Sequence, residues 1–600
     1  MKIRGIHRIP RQSAGDPAGR PLSASSGTQH LLLLVLSAAL LQPIPDANAQ
    51  APSPADIDAA SREAEAIQRD LRDRAEQQRL RDLEPARPPA RIEVPVPEPK
   101  ARDGGPCREI GIIELKGASL LGARDIDDIL ARYRGTCMGV VELERLLSEV
   151  TAAYIRKGYI GARAYLPQQD LSTGTLVIEV IEGQVEGVRI DDGGKKSISV
   201  MNVAPGMVGK PLDLRDLEQA LDQVNRLASN NASFDIEPGS RPGDSVVVLR
   251  NVPQRAWRGM FTYDNHGARN TGREQVGVTV MGDNPLGFND FISVGHRRSH
   301  PYKDGVTASE SSSLTYVLPY GYSTFNLSVS ESEYAATISA PSGVTLSTHG
   351  TSRSAILGAD HLLYRDGASL LRGMASITVK ESKNYLEDIL LQVSSRRLSV
   401  LDLDFSYTTL VAGGMFSLQL GYAKGLTAFN ALRDGANLPS WAPRAQFGKI
   451  KYGFSYALPF KLLNTDFMLA SNLVGQKSED VLYGSEQISI GGIYSVRGFV
   501  DNTLAGDDGY FIRNELSLIR QFSFPNGPSG HVKPYLALDH GEVRNRIDGV
   551  PEGRLTGAAV GIGFRFGVVS LDVFHSHPLS YPSFMEREKG ETWFRLSATL

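Results

Sequence analysis

At 600 residues, the chain is too long for one ordinary domain, so several domains are expected. Its 64 Lys and Arg nearly balance 67 Asp and Glu, and the net charge of −3 does not suggest the clustered basic face that nucleic acid requires. Hydrophobic residues make up 41% and the mean hydropathy is −0.19, which excludes a bundle of apolar helices. The 60 glycines, 21 tyrosines and 21 phenylalanines leave open a membrane β-barrel.

The N-terminus has the pattern of an export signal. Arginines precede the apolar run Leu31–Leu41, and Ala47–Ala49 forms a small-residue cleavage site before Gln50. This order predicts a secretory signal peptide over residues 1–49. The apolar run is too short to span a bilayer as a helix, although an N-terminal membrane anchor stays open as an alternative.

A helix and a tether come next. Ser53 is a capping residue, Pro54 suits the first helical position, and Asp56 lies three residues after the cap. Small and apolar residues then recur at helical spacing among charged ones, which predicts a helix within residues 50–83. Its apolar stripe is narrow, so it suits a polar cavity or solvent better than an apolar core. The proline-rich residues 84–106 predict an extended linker.

Two small α/β modules are predicted over residues 107–183 and 184–253. In the first, a strand is followed by two amphipathic helices and two further strands. The second repeats the pattern in shorter form, as strand, helix and strand. Repeats of one supersecondary unit indicate an array. Two unrelated modules that only support the following domain are the alternative.

The two cysteines, Cys107 and Cys137, lie in the first module. In the oxidising compartment that export implies, an even pair favours a disulfide over a metal site. Two thiols without a nearby pair of histidines cannot fill a tetrahedral zinc site. A disulfide between them would stabilise the first module by roughly 3 to 4 kcal/mol.

From Trp257 onward, apolar residues alternate with small or polar ones. Alternating strands of about 10 residues, separated by turns, are typical of outer-membrane barrels. Residues 254–600 therefore predict a transmembrane antiparallel β-barrel of about 16 strands, at about 20 residues per strand and connection. Glu331–Gly350 and Thr427–Arg444 are predicted to be long outer loops. A soluble β-sandwich is the alternative, although so many strands would need a second core.

The stretch Ile488–Leu516 is rich in Gly and Asp and is too long and polar for a hairpin turn. A long loop in an ordered domain is usually functional or disordered, and a surface loop with an incidental arginine is one interpretation. The informative residues are Val496, Arg497, Gly498, Phe499, Gly506, Asp507 and the strand start Asn514–Leu516. They resemble the sixth extracellular loop of two-partner secretion transporters, the TpsB or hemolysin secretion/activation branch of the BamA superfamily.

The resemblance extends to the modules and to the barrel entrance, where the matching residues are Asp264, Asn265, Gly267, Thr271, Gly272, Asn284, Pro285 and Asp290. Residues 156–183 resemble the family's first POTRA domain, with Pro167, Gln168 and Gln169 matching its P-x-Q. It therefore implies two periplasmic POTRA domains, candidates for binding an unfolded polypeptide by adding a strand, and an N-terminal helix that plugs the barrel lumen. The C-terminus has alternating apolar residues but ends in Leu600, which departs from the aromatic residue usual in barrel-assembly signals.

The resemblance also implies that Arg497, at the tip of a lumen-directed loop of about residues 488–509, pairs with Asp539 on the inner wall. An arginine fork binds a carboxylate through two hydrogen bonds and never loses its charge. Removing one partner of a buried pair costs roughly 3–5 kcal/mol, whereas an exposed pair contributes about 0–1 kcal/mol. With Val496, Gly498 and Phe499, the pair would form a latch between loop and lumen. An ordinary wall charge in a wet channel is the alternative for the aspartate.

The implied function is an outer-membrane translocator of a Gram-negative cell that secretes a large TpsA-type exoprotein through its barrel without ATP. Expected partners are the unfolded exoprotein, outer-membrane lipid and the barrel assembly machinery during biogenesis, and the chain itself is expected to be a monomer or weak dimer. The sequence contains no Walker loop, H-E-x-x-H or G-x-S-x-G, so no enzymatic activity, metal or cofactor is expected. A BamA-like assembly factor and a diffusion porin are the alternatives.

Overall fold

The computed structural model describes seven stretches of the chain: residues 53–92, 94–95, 106–302, 306–339, 342–500, 502–523 and 529–600. The export signal predicted over residues 1–49 and part of the predicted linker lie outside them. In the stretches described, no helix combines the length and apolar character needed to cross a membrane.

The described chain opens with the long helix Pro54–Leu83. The Ser53 hydroxyl accepts a hydrogen bond from the backbone N–H of Asp56 (3.2 Å), and the Asp56 carboxylate accepts one from the backbone N–H of Ser53 (2.9 Å). This reciprocal cap satisfies two of the free donors at the helix start. The helix buries four small or apolar side chains: Ala60, Ala64, Ile67 and Leu71.

The first module mixes helices with short strands. Its elements are the strands Arg108–Ile110 and Ile112–Lys116, the helix Ala123–Leu130, the strand Thr136–Met138, the helix Val140–Arg156, the strand Arg163–Tyr165, the 3-10 turn Leu171–Thr173 and the strand Thr175–Ile181. The last strand pairs in parallel with Ile112–Lys116 and antiparallel with Arg163–Tyr165. Leu146 and Tyr154 of the second helix are fully buried against this sheet. A disulfide joins Cys107 and Cys137.

The second module repeats the arrangement with a smaller sheet. Its elements are the strand Val185–Asp191, the helices Val200–Val203 and Leu214–Asn225, and the strands Ser233–Pro238 and Ser245–Arg250. The last strand pairs in parallel with the first and antiparallel with Ser233–Pro238. Sequence patterns missed Ser233–Pro238 because both neighbouring segments carry turn residues, and missed Val200–Val203 because one helical turn has no periodicity.

The rest of the chain closes into a barrel. Within the described residues the sixteen strands are Trp257–Asp264, Gln275–Asp283, Phe291–Ser299, Ala308–Tyr320, Ser323–Ser339, Thr345–Arg365, Leu370–Leu386, Arg396–Val411, Gly414–Leu426, Gly448–Leu462, Thr465–Ser478, Asp508–Leu518, Ser529–Arg544, Gly553–Phe566, Val569–Ser580 and Glu591–Thr599. Two short segments, Ile389–Leu390 and Arg520–Ser523, extend this ladder. Antiparallel pairing of the last strand with the first closes the sheet, so the prediction of a barrel of about 16 strands is confirmed.

The prediction of a long loop over Glu331–Gly350 is wrong. The strands Ser323–Ser339 and Thr345–Arg365 continue through most of it, with Glu331 opposite Arg353. The outward side chains of these strand ends include Glu331, Glu333 and Thr337, while Tyr334, Ala336, Ile338 and Leu346 are buried on the lumen side. The apolar alternation is therefore reversed relative to that of a lipid-facing strand, and the segment does not have the sequence pattern of one. Thr427–Arg444 does lie between two strands, as predicted.

The two ends of the barrel differ. Short turns join the strands at the end that carries the modules, here called the module end, and the long loops lie at the other, here called the far end. On the outer face, alternate apolar side chains are exposed, among them Val278, Val294, Leu314, Phe325, Leu327 and Val329. The intervening residues face the lumen and are mostly polar. An apolar exterior and a polar interior are what a membrane-spanning barrel requires.

Candidate functional site

A loop between two barrel strands folds back into the lumen. Ile488–Ile490 pairs antiparallel with Leu504–Gly506, and this small hairpin carries the loop tip. Val496 and Phe499 of the tip are fully buried and pack in one apolar cluster with wall residues such as Leu555. The predicted loop is therefore an ordered element that buries apolar side chains at its tip.

Arg497 and Asp539 form a buried, bidentate ion pair between the loop tip and the barrel wall. The Arg497 side chain donates from Nε to Asp539 Oδ2 at 2.6 Å and from Nη2 to Oδ1 at 2.8 Å. The backbone N–H of Arg497 also donates to Oδ2, at 3.1 Å. Both side chains are almost inaccessible to solvent. Three hydrogen bonds thus fix the arginine in position and orientation.

Further charges surround this pair on the inner wall. Glu515 accepts from Arg497 Nη1 at 3.3 Å and from Lys533 Nζ at 2.7 Å. Arg513 lies opposite Asp539 in the strand register, with its Nε 3.9 Å from Oδ2. Sequence reasoning missed Glu515, Lys533 and Arg513 as members of the site. Their signal is positional, because Arg513 and Glu515 alternate on the lumen face of one strand.

Two glycines let the loop backbone touch the wall backbone. Gly498 has φ +113°, and a Cβ there would lie 2.7 Å from the carbonyl carbon and oxygen of His577. A Cβ on Gly557 would lie only 1.7 Å from the carbonyl oxygen of Arg497. Neither contact leaves room for a side chain. Gly498 was selected from the sequence, whereas Gly557 was not.

The tip is also held from the neighbouring far-end loop. The Glu588 carboxylate accepts from the backbone N–H groups of Val500 (2.7 Å) and Asn502 (2.6 Å). The rings of Phe499 and Tyr581 meet edge to face, with centroids 6.2 Å apart. The loop is thus held by ion pairs, backbone contact and apolar packing together.

The helix Pro54–Leu83 runs through the lumen from the far end to the module end. Near its start, Ala60 packs with Ile338 and Leu346 beside a far-end loop. At its end, the carbonyl oxygen of Leu83 accepts from Arg226 of the second module at 3.3 Å. The barrel is therefore occupied along its length.

Polar contacts join this helix to the barrel wall and loops at mid-length, among them a hydrogen bond from Asn270 to Glu63. Arg396 of the wall donates to Glu65 at 2.6 Å, and Gln68 donates to Asn384 at 2.6 Å. Arg72 donates to the carbonyl oxygen of Ser485, at the base of the lumen-directed loop. The helix and the loop therefore contact each other directly.

A polar cavity of about 1010 Å³ lies beside the helix. Hydroxyl side chains from four neighbouring strands line one side of it: Ser313, Thr315, Ser328, Ser330, Ser354 and Ser376. Hydroxyl groups both donate and accept hydrogen bonds, and they carry no charge. This side of the cavity therefore presents uncharged hydrogen-bond donors and acceptors.

The segment after the helix is fixed at the module end. The backbone N–H groups of Ala90 and Ile92 donate to Asp222 (2.6 Å) and Glu218 (2.9 Å) of the second module. Arg365, at the end of a barrel strand, donates to Glu218 (3.1 Å), to Asp222 (2.6 Å) and to the carbonyl oxygen of Ala90 (2.5 Å). One buried arginine thus connects the linker, the second module and the barrel. Sequence reasoning gave no indication of it.

The predicted peptide-binding residues Pro167, Gln168 and Gln169 lie on the first module, apart from the lumen site. The Gln169 amide donates to the carbonyl of Val177 at 2.7 Å and accepts from its N–H at 2.8 Å. Gln169 therefore supports the local backbone, while Gln168 is exposed. A role of these residues in substrate binding remains a prediction.

Comparison with known proteins identifies the family of the chain. Residues 243–564 match the family described as haemolysin secretion/activation protein ShlB/FhaC/HecB, and this range is more than half of the chain. The chain belongs to this family. Residues 109–183 match a ShlB-type POTRA domain and residues 184–238 match a POTRA domain, so both modules of this ShlB-family chain are POTRA domains.

Its relatives cover most of its length. The outer membrane transporter CdiB of Escherichia coli O6:K15:H31 is 34% identical over 523 residues, 87% of each chain. The hemolysin transporter protein ShlB of Serratia marcescens is 31% identical over 557 residues, 92% of this chain and 95% of ShlB. The solved structure of CdiB from Escherichia coli has a TM-score of 0.79 at 32% identity, covering 91% of this chain and 99% of that one.

Family membership fixes the cellular setting. This ShlB-family chain is an outer-membrane protein-secretion transporter with its POTRA domains in the periplasm, so the module end of the barrel is periplasmic.

Across the described ranges, no group of three or more His, Cys, Asp or Glu residues is placed to hold a metal ion.

Proposed function

We propose that the chain secretes one large exoprotein of the TpsA type, taken up unfolded by the POTRA domains and passed through the barrel lumen. Folding of the exoprotein outside the cell, rather than ATP, supplies the drive, and the chain itself is not an enzyme. The relatives are named as transporters of hemolysin or as CdiB transporters, which supports a cytolysin or a contact-dependent toxin as the cargo class.

The helix Pro54–Leu83 in the lumen carries this proposal. It fills a barrel that otherwise has a polar interior, and polar contacts such as Arg396–Glu65 and Gln68–Asn384 join it to the wall. Its partners include uncharged amide and hydroxyl groups, which water can replace at little cost. We propose that the helix is a plug that leaves the lumen before the exoprotein enters.

The loop with Arg497 is the second part of the mechanism. Its tip is fixed by the bidentate pair with Asp539, and its base contacts the helix through Ser485 and Arg72. We propose that this latch keeps the loop inserted while the helix is displaced, so that the lumen keeps one defined shape for the passing chain.

Peptide capture belongs to the POTRA domains. The strand Arg163–Tyr165 pairs on one side only, at the edge of its sheet, and Tyr165 is exposed there. An exposed sheet edge can bind an extended peptide by strand addition. We propose that the exoprotein docks at this edge, close in the chain to Pro167, Gln168 and Gln169.

Deleting residues 54–83 tests the plug. The variant, purified and inserted in planar bilayers, is expected to show a higher single-channel conductance than the intact chain. Arg62→Ala is the matched control, because Arg62 pairs with Asp58 of the same helix in an exposed position. Unchanged conductance in the deletion variant, with the barrel intact by heat-modified gel mobility, would rule out the plug.

Secretion itself is tested by co-expression with exoproteins encoded beside the chain, assayed in the medium. A BamA-like assembly factor would instead change the levels of other barrel proteins and leave the medium unchanged. A diffusion porin would show high steady conductance with the helix in place. The proposal includes contacts of the chain with outer-membrane lipid and, during biogenesis, with the barrel assembly machinery. It also includes a monomeric or weakly dimeric state of the chain.

A further inference from the structure

The second POTRA domain exposes apolar side chains beside the periplasmic rim of the barrel. Met201, in the one-turn helix Val200–Val203, is 77% exposed, and Val208 is 57% exposed. Their neighbours Val203 and Met207 are buried in the core of the domain. Exposed apolar side chains mark an interaction site when they form a contiguous patch with others, not when they occur singly.

Hydrogen bonds fix this helix to two turns of the barrel rim. The Asn289 side chain accepts from the backbone N–H of Ser199 at 3.0 Å and donates to its carbonyl oxygen at 2.9 Å. Asn202 donates from its side chain to the carbonyl oxygen of Pro319 at 3.2 Å and accepts from the N–H of Gly321 at 2.7 Å. Met201 lies in the chain between Ser199 and Asn202, which are both hydrogen-bonded to the rim. Its position along the barrel axis is therefore fixed at the level of these two turns.

The rim at this height is itself apolar and aromatic. Leu286 is 64% exposed, and Phe288 (49%) and Tyr320 (51%) are exposed in the same two turns. Tyr320 ends the strand whose outward side chains include Leu314 in the lipid-facing belt. Aromatic girdles of barrels lie at the level of the lipid headgroups. Met201 therefore lies beside two rim turns that expose apolar and aromatic side chains.

Positive charge borders the patch. Lys195 and Lys196 are exposed, and the next residue, Ser197, accepts a hydrogen bond through its carbonyl oxygen from Asn284 of the rim at 3.2 Å. Lysines next to an apolar patch at a membrane surface are attracted to anionic headgroups and can extend toward them.

We infer that the surface formed by Met201, Leu286, Phe288 and Tyr320, with Lys195 and Lys196 at its edge, docks on the phospholipid headgroups of the inner leaflet of the outer membrane. The second POTRA domain is then a peripheral membrane element that rests on lipid as well as on the barrel. The continuity of the patch with the barrel belt favours lipid over a second copy of the chain or the exoprotein.

The full chain in liposomes provides the test. Its two cysteines are bridged to each other, so Met201→Cys can be labelled selectively with an environment-sensitive fluorophore. Val140→Cys is the matched control, because Val140 is 55% exposed at the start of the helix Val140–Arg156 of the first POTRA domain. With phospholipids that carry a nitroxide just below the headgroup, quenching at position 201 is expected to exceed that at position 140 at least threefold.

Equal quenching at the two positions would overturn the inference. Protection of the label at position 201 by added exoprotein or by a higher protein concentration, with quenching no greater than at the control position, would also overturn it. The lysines give a second measurement. Adding phosphatidylglycerol to phosphatidylcholine liposomes is expected to increase quenching at position 201, and the double change Lys195→Glu, Lys196→Glu is expected to abolish that increase. If quenching at position 201 did not change with phosphatidylglycerol content, the lysines would have no part in the docking.

Discussion

The carbonyl oxygen of Arg497 lies directly over Gly557, where a Cβ would come within 1.7 Å of it. The latch therefore depends on the absence of a side chain on the wall as well as on the Arg497–Asp539 pair. This backbone contact sets how closely the loop tip can approach the barrel wall. The ion pair sets the orientation of the Arg497 side chain.

Gly557→Ala is expected to displace the loop tip without preventing barrel formation. Adding one methyl group to a filled site costs roughly 1–3 kcal/mol, and here the clash is with backbone that cannot rotate away. Export of the exoprotein is expected to fall about tenfold, a change of about 1.4 kcal/mol. Gly563→Ala, on the same strand, is the control, since its Cβ would lie 3.4 Å from the nearest atom. Equal export in the two variants would contradict the prediction.

Arg497→Lys is expected to reduce export although it keeps the charge. A single ammonium group cannot reproduce the two side-chain bonds to Asp539 and the bond to Glu515. The measurement is exoprotein in the medium, normalised to barrel in the membrane. Arg520→Lys is the control, because Arg520 makes one exposed hydrogen bond to Thr465. Wild-type export by the Arg497 variant would show that charge alone suffices.

Arg365→Ala is expected to loosen the linker and make plug release more frequent. It removes the common partner of Glu218, Asp222 and Ala90, and leaves Arg215 as the remaining cation at Glu218. Breaking such a buried network costs roughly 3–5 kcal/mol. Single-channel recordings should show more open events. Arg353→Ala is the control, because Arg353 of the same strand forms only an exposed pair with Glu331, and it should behave as wild type. Identical records for both variants would show that the linker does not control plug release.

Replacing Cys107 and Cys137 by serine is expected to destabilise the first POTRA domain alone. The bridge closes a segment with a sequence separation of 30 residues, for which a stabilisation of roughly 3–4 kcal/mol is expected. Limited proteolysis should cut the domain faster, while the heat-modified mobility of the barrel stays unchanged. Equal cleavage rates with and without the bridge would contradict this.

The first POTRA domain is also expected to lose stability in acid through Glu182. Burial would raise the pKa of Glu182, but donors from Ser119, Tyr154 and Leu120 outweigh it and lower the pKa below its ordinary 4.5. The folded domain therefore favours the ionised form, so its contribution is complete above pH 4.5 and disappears as the pH falls through the lowered value.

Proteolysis of the full chain in liposomes at a series of acid pH values measures this effect. Glu182→Gln should be less stable than wild type at neutral pH and should depend less on pH in the acid range. A variant with the same pH dependence as wild type would assign the acid sensitivity to another group.

The sequence predicts the barrel well because lipid and water face opposite sides of each strand. The alternation of apolar and polar residues therefore indicates directly which side chains face lipid. Ser332–Ser339 does not follow this rule, because its apolar side chains Tyr334, Ala336 and Ile338 face the lumen helix and its outward side chains are polar. Arg497 and Asp539 could be selected only through the family resemblance. Nothing local separates Gly557 from Gly561 and Gly563 of the same strand, because what matters is a carbonyl sixty residues earlier in the chain.

Arg365 shows the same limit at longer range. Its partners Glu218 and Asp222 lie more than 140 residues away in the chain, on a helix of another domain. In the sequence it is one more arginine before an Asp-Gly turn. Only the docking of the POTRA domain against the barrel rim gives it a role.

The charges of the lumen helix are neutralised mostly within the helix itself. Arg74 pairs with Asp70 and Arg79 with Glu76, one turn apart, whereas Arg396–Glu65 crosses to the wall. Pairs between residues one turn apart move with the helix that carries them. Withdrawal of the helix into the periplasm would consequently leave few unpaired charged side chains in the pore. It would expose only the narrow apolar stripe of the helix to water. The proposed plug is therefore expected to return to the lumen after each passage, because neither location disfavours it strongly.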